Sequence, residues 1–174
     1  MVLKFDLDLA HQSCEAPLRH GFEKLHAKWP GVKLRGVAIV PPKRDGDISM
    51  GHYDEETGDV GLNSYWFSQP IEILRGAATA PPAFHGAMTA EPDHVIAHEF
   101  GHAVEWTRPE IRPRLHQVWE RATRQPDQCF AQYALTNPCE YWGELFALVS
   151  LGLESRAQHS EYIWILSGRH EHAA

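Results

Sequence analysis

Residues 95–106 carry the sequence VIAHEFGHAVEW, and the predicted fold is arranged around this stretch. Its apolar residues recur at helical spacing, and Glu91 shortly before it favours the positive end of a helix dipole. His98 and His102 are four residues apart, so a helix places both imidazoles on one face, one turn apart. The stretch therefore predicts a helix that Thr89 caps and that carries two neighbouring histidines.

Chain length and composition predict a single domain over residues 1–174. The 174 residues are 43% hydrophobic, which suits one hydrophobic core. No repeat, linker or low-complexity tract divides the chain. Apolar residues at helical spacing predict that the C-terminal half is mostly helical. Besides the helix of His98, this spacing predicts helices over 15–29, 109–124, 138–151 and 158–167.

Stretches rich in β-branched and aromatic residues predict a small antiparallel or mixed sheet. We expect the first strand over 37–40, followed by a hairpin that joins 49–53 to 60–67 across a loop of turn-forming residues. A short helix over 68–74, closed by Gly76, should come next. The predicted fold class is therefore α+β, with the small sheet packed on the helix that carries the two histidines.

Charge and composition argue against several classes of partner. The formal net charge of -7 does not suit a protein that binds nucleic-acid phosphates or anionic membranes. Asp6 and Asp8 lie where a secretory signal would be apolar, and no apolar run has the length of a membrane span. Cys14, Cys129 and Cys139 suit reduced thiols better than a disulfide framework. We therefore expect a cytoplasmic protein.

The HEFGH segment at 98–102 matches the H-E-x-x-H pattern of zinc sites on helices. Zinc accepts two imidazole nitrogens at about 2.0–2.1 Å and leaves positions for a third protein ligand and a water molecule. Glu99 follows the first histidine and can bind the water rather than the metal. It can then accept a proton as the water attacks a polarised carbonyl group. The segment predicts zinc on His98 and His102, with Glu99 as the general base.

A third ligand must come from further along the chain, and three classes of site differ in its position. The class with a third histidine six residues after the second is excluded, because Arg108 stands there. Glu120 lies near the spacing at which thermolysin-like chains place a glutamate. His116 could complete a site of three histidines. Both stay open as candidates.

Glu140 is the strongest candidate for the third ligand. It belongs to a predicted helix that Asn137 and Pro138 open. Glu144 lies one turn later on the same face, where it can accept the second ring N–H of a ligand histidine and so fix the orientation of that ring. Aromatic and apolar residues surround both glutamates, which argues against a fully solvated helix face.

The segments HEFGH at 98–102 and YALTNPCEYWGELFAL at 133–148 resemble the lethal-factor-like zinc metallopeptidases, including related phage and bacterial domains. The resemblance implies a zincin-like fold and a zinc-ligand role for Glu140. It also implies that Glu144 supports a ligand histidine from outside the metal. Tyr133 stands where the family has a tyrosine that stabilises the oxyanion or donates a proton.

Two further features bear on this resemblance. The segment at 52–67 is similar to the strand region of such domains, in which an edge strand can pair with an extended peptide. Gly143 stands where the family usually has alanine.

The predicted function is zinc-dependent hydrolysis of a peptide or protein substrate. The alternative is a non-catalytic interaction module that zinc stabilises, which a fourth ligand such as Cys139 or His116 would favour.

Overall fold

The structure is a computed structural model that describes residues 4–45, 49–79 and 91–168. Thr89, the predicted helix cap, lies outside the described residues, and the helix of His98 begins at Pro92 with Glu91 as its N-cap residue. The strands are β1 (Lys4–Asp6), β2 (Gly36–Val40), β3 (Gly51–Asp54) and β4 (Asp59–Asn63). The helices are α1 (Gln12–Lys28), α2 (Ser64–Phe67), α3 (Ile71–Thr79), α4 (Pro92–Thr107), α5 (Arg112–Thr123), α6 (Pro138–Leu151) and α7 (Arg156–Ser167).

The four strands of the described chain form one mixed sheet in the order β1-β2-β4-β3. β1 pairs with β2 and β2 pairs with β4 in parallel, whereas β3 pairs with β4 in the antiparallel direction. β3 and β4 are the predicted hairpin, and β3 is an outer strand of the sheet. The predicted α+β fold, with a small mixed sheet and a mostly helical C-terminal half, is confirmed.

Two predictions about strands were wrong. The strand over 37–40 is the second in the chain, because Lys4–Asp6 precedes it and pairs with it in parallel. This segment has three residues, two of them charged, and is too short to show a strand pattern in the sequence. The strand predicted over 60–67 stops at Asn63, whose side chain accepts the N–H of Tyr65 and thereby caps α2.

The helix predicted over 68–74 was also wrong in its bounds. α3 begins at Ile71 and continues through Gly76 to Thr79. Glycine in a helix interior costs only about 1 kcal/mol relative to alanine, so one glycine does not have to end a helix.

The C-terminal helices lie close to their predicted positions. α6 has the predicted bounds, and Asn137 caps it by accepting the N–H of Glu140 at 3.0 Å. The helix predicted over 109–124 consists of a short 3₁₀ turn, Pro109–Ile111, followed by α5. Among the described helices, none combines the length and the apolar character that crossing a membrane requires.

The core holds α4 in a fixed position between α1, α6 and the outer strand β3. The rings of Phe100 on α4 and Phe146 on α6 stack with centroids 5.9 Å apart. On its other side, Phe100 meets the edge of Phe22 from α1. The indole N–H of Trp142 donates to the carbonyl of Gly101 over 2.7 Å, which ties α6 to the backbone of α4. These buried contacts set the spacing between the helices that carry the site.

Candidate metal centre

Two helices supply the candidate site, each through a row of polar side chains on the face that meets the other helix. α4 presents three histidines at intervals of four residues, and α6 presents two glutamates at the same interval. The two rows alternate in space, in the order His94, Glu144, His98, Glu140 and His102. The structure thus brings together the predicted residues of both helices and adds His94.

Three ligand atoms converge at one end of this row. Nε2 of His98 lies 2.9 Å from Oε2 of Glu140 and 3.0 Å from Nε2 of His102. Nε2 of His102 lies 3.7 Å from the same oxygen of Glu140. His98, His102 and Glu140 are therefore one of the groups in the described chain that could hold a metal ion.

The spacing of these atoms fits a tetrahedral zinc ion. Bonds of about 2.0–2.1 Å at tetrahedral angles separate neighbouring ligand atoms by about 3.3–3.4 Å. The separations of 2.9, 3.0 and 3.7 Å lie on both sides of that value. Two imidazole nitrogens and one carboxylate oxygen also form a donor set that zinc uses at catalytic sites. The residues present therefore fit zinc.

Glu144 determines which nitrogen of His98 faces the centre. Its Oε1 lies 2.9 Å from Nδ1 of His98, and a carboxylate only accepts hydrogen bonds, so Nδ1 donates. Nε2 then faces Glu140 and His102. It donates to Glu140 while the ring is protonated, and its lone pair becomes available to a metal ion when that proton leaves. This is the contact that Glu144 would make in its predicted role of supporting a ligand histidine.

His94 was not predicted as part of the site. It lies four residues before His98, and its Nε2 is 3.3 Å from the same Oε1 of Glu144. Only 2% of its surface is exposed. The spacing was a usable signal, because a histidine four residues before a ligand shares its helix face.

The charges around His98 favour a positive charge at the centre. Burial lowers the pKa of His98, but the hydrogen bonds that its ring donates to Glu140 and Glu144 outweigh burial and hold that pKa well above its usual value. Burial raises the pKa of Glu144, yet its bonds to His94 and His98 bring it down to about 2. The pKa of Glu140 is likewise lowered, since His102 and His98 outweigh its burial.

Glu99 lies buried between the histidines and the outer strand. It is 5% exposed, and a Cβ added to Gly51 of β3 would come within 2.9 Å of its Oε1. Its other oxygen, Oε2, has no hydrogen-bond partner among the described residues. Burial raises the pKa of Glu99, while the nearby His102 and His98 act in the opposite direction. The strand leaves just enough room for this carboxylate beside the site.

Tyr133 stands at the open side of the site, in a short 3₁₀ turn before α6. Its ring centroid is 6.0 Å from that of His98, and 42% of its surface is exposed. Burial of its hydroxyl, followed by the charge of Glu140, raises its pKa, so the phenol keeps its proton. The structure therefore places Tyr133 beside the candidate ligands.

The other candidate ligands lie elsewhere. Glu120 and His116 are exposed on α5, and neither belongs to a possible metal-binding group among the described residues. Cys139 is also absent from those groups. Burial and the neighbouring Glu105 raise the pKa of its thiol to about 11. Within the described chain, only Glu140 joins the two histidines of the HEFGH segment.

Gly143 on α6 leaves the space that the ring of His98 occupies. A Cβ added there would lie 2.7, 2.8 and 2.9 Å from three atoms of the imidazole, closer than real Cβ atoms approach. A Cβ added to Gly101 on α4 would in turn lie 3.2 Å from the Cα of Gly143. The two glycines therefore let the helices approach until His98 reaches both glutamates.

The chain was compared with protein-family models, with curated proteins and with solved structures, and none of them matches it.

We expect Gly143→Ala to weaken zinc binding by about tenfold or more, because the added methyl group displaces the ring of His98. Zinc affinity can be measured by competition with a chromophoric chelator. Gly31→Ala is the matched control, since no atom lies within 4 Å of a Cβ at that position. Equal affinity in both variants and the wild type would mean that α4 and α6 separate to accept alanine.

Proposed function

We propose that this protein is a zinc-dependent endopeptidase that hydrolyses peptide bonds in a peptide or protein substrate. The observation that carries the proposal is the convergence of His98, His102 and Glu140, with ligand atoms 2.9, 3.0 and 3.7 Å apart, beside the buried carboxylate of Glu99. The resemblance to lethal-factor-like zinc metallopeptidases is part of the same proposal, because it rests on these residues.

In this proposal His98, His102 and Glu140 hold the ion. Zinc, when bound, polarises the carbonyl group of the substrate and lowers the pKa of a water molecule toward about 7. Glu99 takes a proton from the attacking water and passes it to the amine that leaves. Its unpartnered Oε2 supports this role, since that oxygen is available to accept a proton. Glu144 holds His98 in the tautomer that presents Nε2.

Tyr133 is proposed to stabilise the oxyanion that forms at the attacked carbonyl. A phenol is protonated at neutral pH and can donate a hydrogen bond to a negatively charged oxygen. The ring of Tyr133 lies near His98 on the exposed side of the site, where a substrate can enter. The exposed fractions of the side chains rise from 9% at His98 to 18% at His102 and 20% at Glu140, which is consistent with access from that side.

The substrate is proposed to lie in an extended conformation along β3. In the described part of the chain, this strand pairs only with β4 and forms one edge of the sheet. Gly51 of the strand lies beside Glu99. An extended peptide can add to such an edge through main-chain hydrogen bonds.

The cytoplasmic location expected from the sequence is also part of the proposal. It is compatible with the free thiols of Cys14, Cys129 and Cys139.

We expect the purified protein to bind one zinc ion per chain and Glu140→Gln to bind it at least about 100-fold more weakly. The variant keeps the size of the side chain but removes the charged oxygen ligand. Metal content by mass spectrometry and affinity by chelator competition test this. Glu120→Gln is the control, because it makes the same change on the exposed face of α5. If both variants keep their zinc, Glu140 is not a ligand.

We expect Glu99→Gln to bind zinc as the wild type does but to lose about 10²–10⁴-fold in the rate of peptide hydrolysis. The amide fills the same space and accepts no proton in the reaction. Cleavage of a peptide library, followed by mass spectrometry, gives the rate. A wild type that binds zinc but cleaves no peptide would instead favour the non-catalytic interaction module.

Tyr133→Phe should reduce kcat by about 10²–10³-fold, with little change in KM or in zinc affinity. The change removes one donor that acts on the oxyanion and leaves the ground-state contacts of the ring. Tyr65→Phe, at another exposed tyrosine, is the control. A kcat equal to that of the wild type would exclude an oxyanion role for Tyr133.

A further inference from the structure

His94 is a buried polar residue that the proposed reaction does not use. It lies on α4 one turn before His98, and 2% of its surface is exposed. An imidazole buried at a helix interface loses its hydration. Unless the ring makes a hydrogen bond, an apolar side chain at that position would give a more stable fold. Among the described residues its ring has one hydrogen bond, which joins Nε2 to Glu144 at 3.3 Å, while its Nδ1 is buried without a partner.

His94 and His98 share a single oxygen of Glu144. Oε1 accepts from Nε2 of His94 at 3.3 Å and from Nδ1 of His98 at 2.9 Å. The second oxygen, Oε2, is buried and has no partner among the described residues. Within the described part of the chain, the two histidines thus supply both of the hydrogen bonds that this carboxylate accepts.

Removing one of these two donors would leave Glu144 in an unfavourable state. Glu144 is 2% exposed, and a buried carboxylate with too few donors carries a large desolvation penalty. The carboxylate would then turn toward other donors or water, or lose its charge. Each of these responses weakens its bond to Nδ1 of His98, which orients the ring toward the metal.

We propose that His94 is a positioning residue of the metal centre, which holds the carboxylate of Glu144 in the orientation that fixes His98. The support for the ligand histidine therefore extends over two residues, from His98 through Glu144 to His94. This inference deepens the proposed function and rests on its zinc site. His94 is not one of the three residues proposed to hold the ion. With His98 and Glu144 it forms a second group of the described chain that could hold a metal, which the test below separates from a positioning role.

Two substitutions of His94 separate hydrogen bonding from packing. His94→Leu keeps an apolar side chain of comparable bulk but removes the donor, whereas His94→Gln keeps an N–H donor at a similar reach. His116→Leu removes an exposed histidine of α5 and controls for unspecific zinc binding. Circular dichroism and thermal unfolding of the metal-free proteins identify any variant that does not fold.

Zinc affinity and the absorption spectrum of the cobalt-substituted protein are the measurements. We expect His94→Leu to bind zinc about 10–100-fold more weakly and to shift the cobalt bands, because the orientation of His98 changes. His94→Gln should stay within about threefold of the wild type, and its cobalt spectrum should be preserved. The affinity of His116→Leu should not change.

Three results would overturn the inference and leave the proposed zinc site standing. Equal zinc affinity and cobalt spectra in the wild type and His94→Leu would show that Glu144 is held without His94, while the zinc site itself would stand. Equal losses in folded His94→Leu and His94→Gln would assign the effect to packing. A second zinc ion that only His94→Leu loses would make His94 a ligand of another site.

A wild type that binds no zinc would overturn the proposed function together with this inference.

Discussion

The close approach of α4 and α6 is the constraint on which the site depends. At the crossing, Gly101 and Gly143 leave no side chain between the helices, and a Cβ on Gly143 would overlap the ring of His98. The stacked rings of Phe100 and Phe146 and the bond from Trp142 hold the helices at that distance. A wider spacing would move every ligand atom of α6 away from its partner on α4.

This spacing also explains why so many ionisable groups can be buried together. Each histidine of α4 meets a glutamate of α6, and Glu144 and Glu140 are each shared between two histidines. A buried charge is tolerated when it is paired and hydrogen-bonded, and removal of one partner leaves the other uncompensated. The residues of this row depend on one another, so a change at His94 is expected to alter the proposed metal position at the other end.

Local sequence patterns predicted most of the fold and of the candidate site, because helical spacing puts residues four apart on one face. That rule located His98, His102, Glu140 and Glu144 on facing helices. It missed His94, since a single buried histidine is usually a core residue. The role of Gly143 could not be predicted either, because it depends on the distance between two helices that are far apart in the chain.

The position of Glu99 favours the proposed hydrolytic centre over a zinc ion that only joins helices. A structural site needs closed coordination by protein groups, and the described residues supply three at this point. Such a site has no use for a buried carboxylate with an unpartnered oxygen beside it, which lowers stability. The sheet nevertheless makes room for it, because Gly51 lacks the side chain that would push Glu99 away. In the proposed hydrolysis this carboxylate has a use, because it accepts the proton of the attacking water.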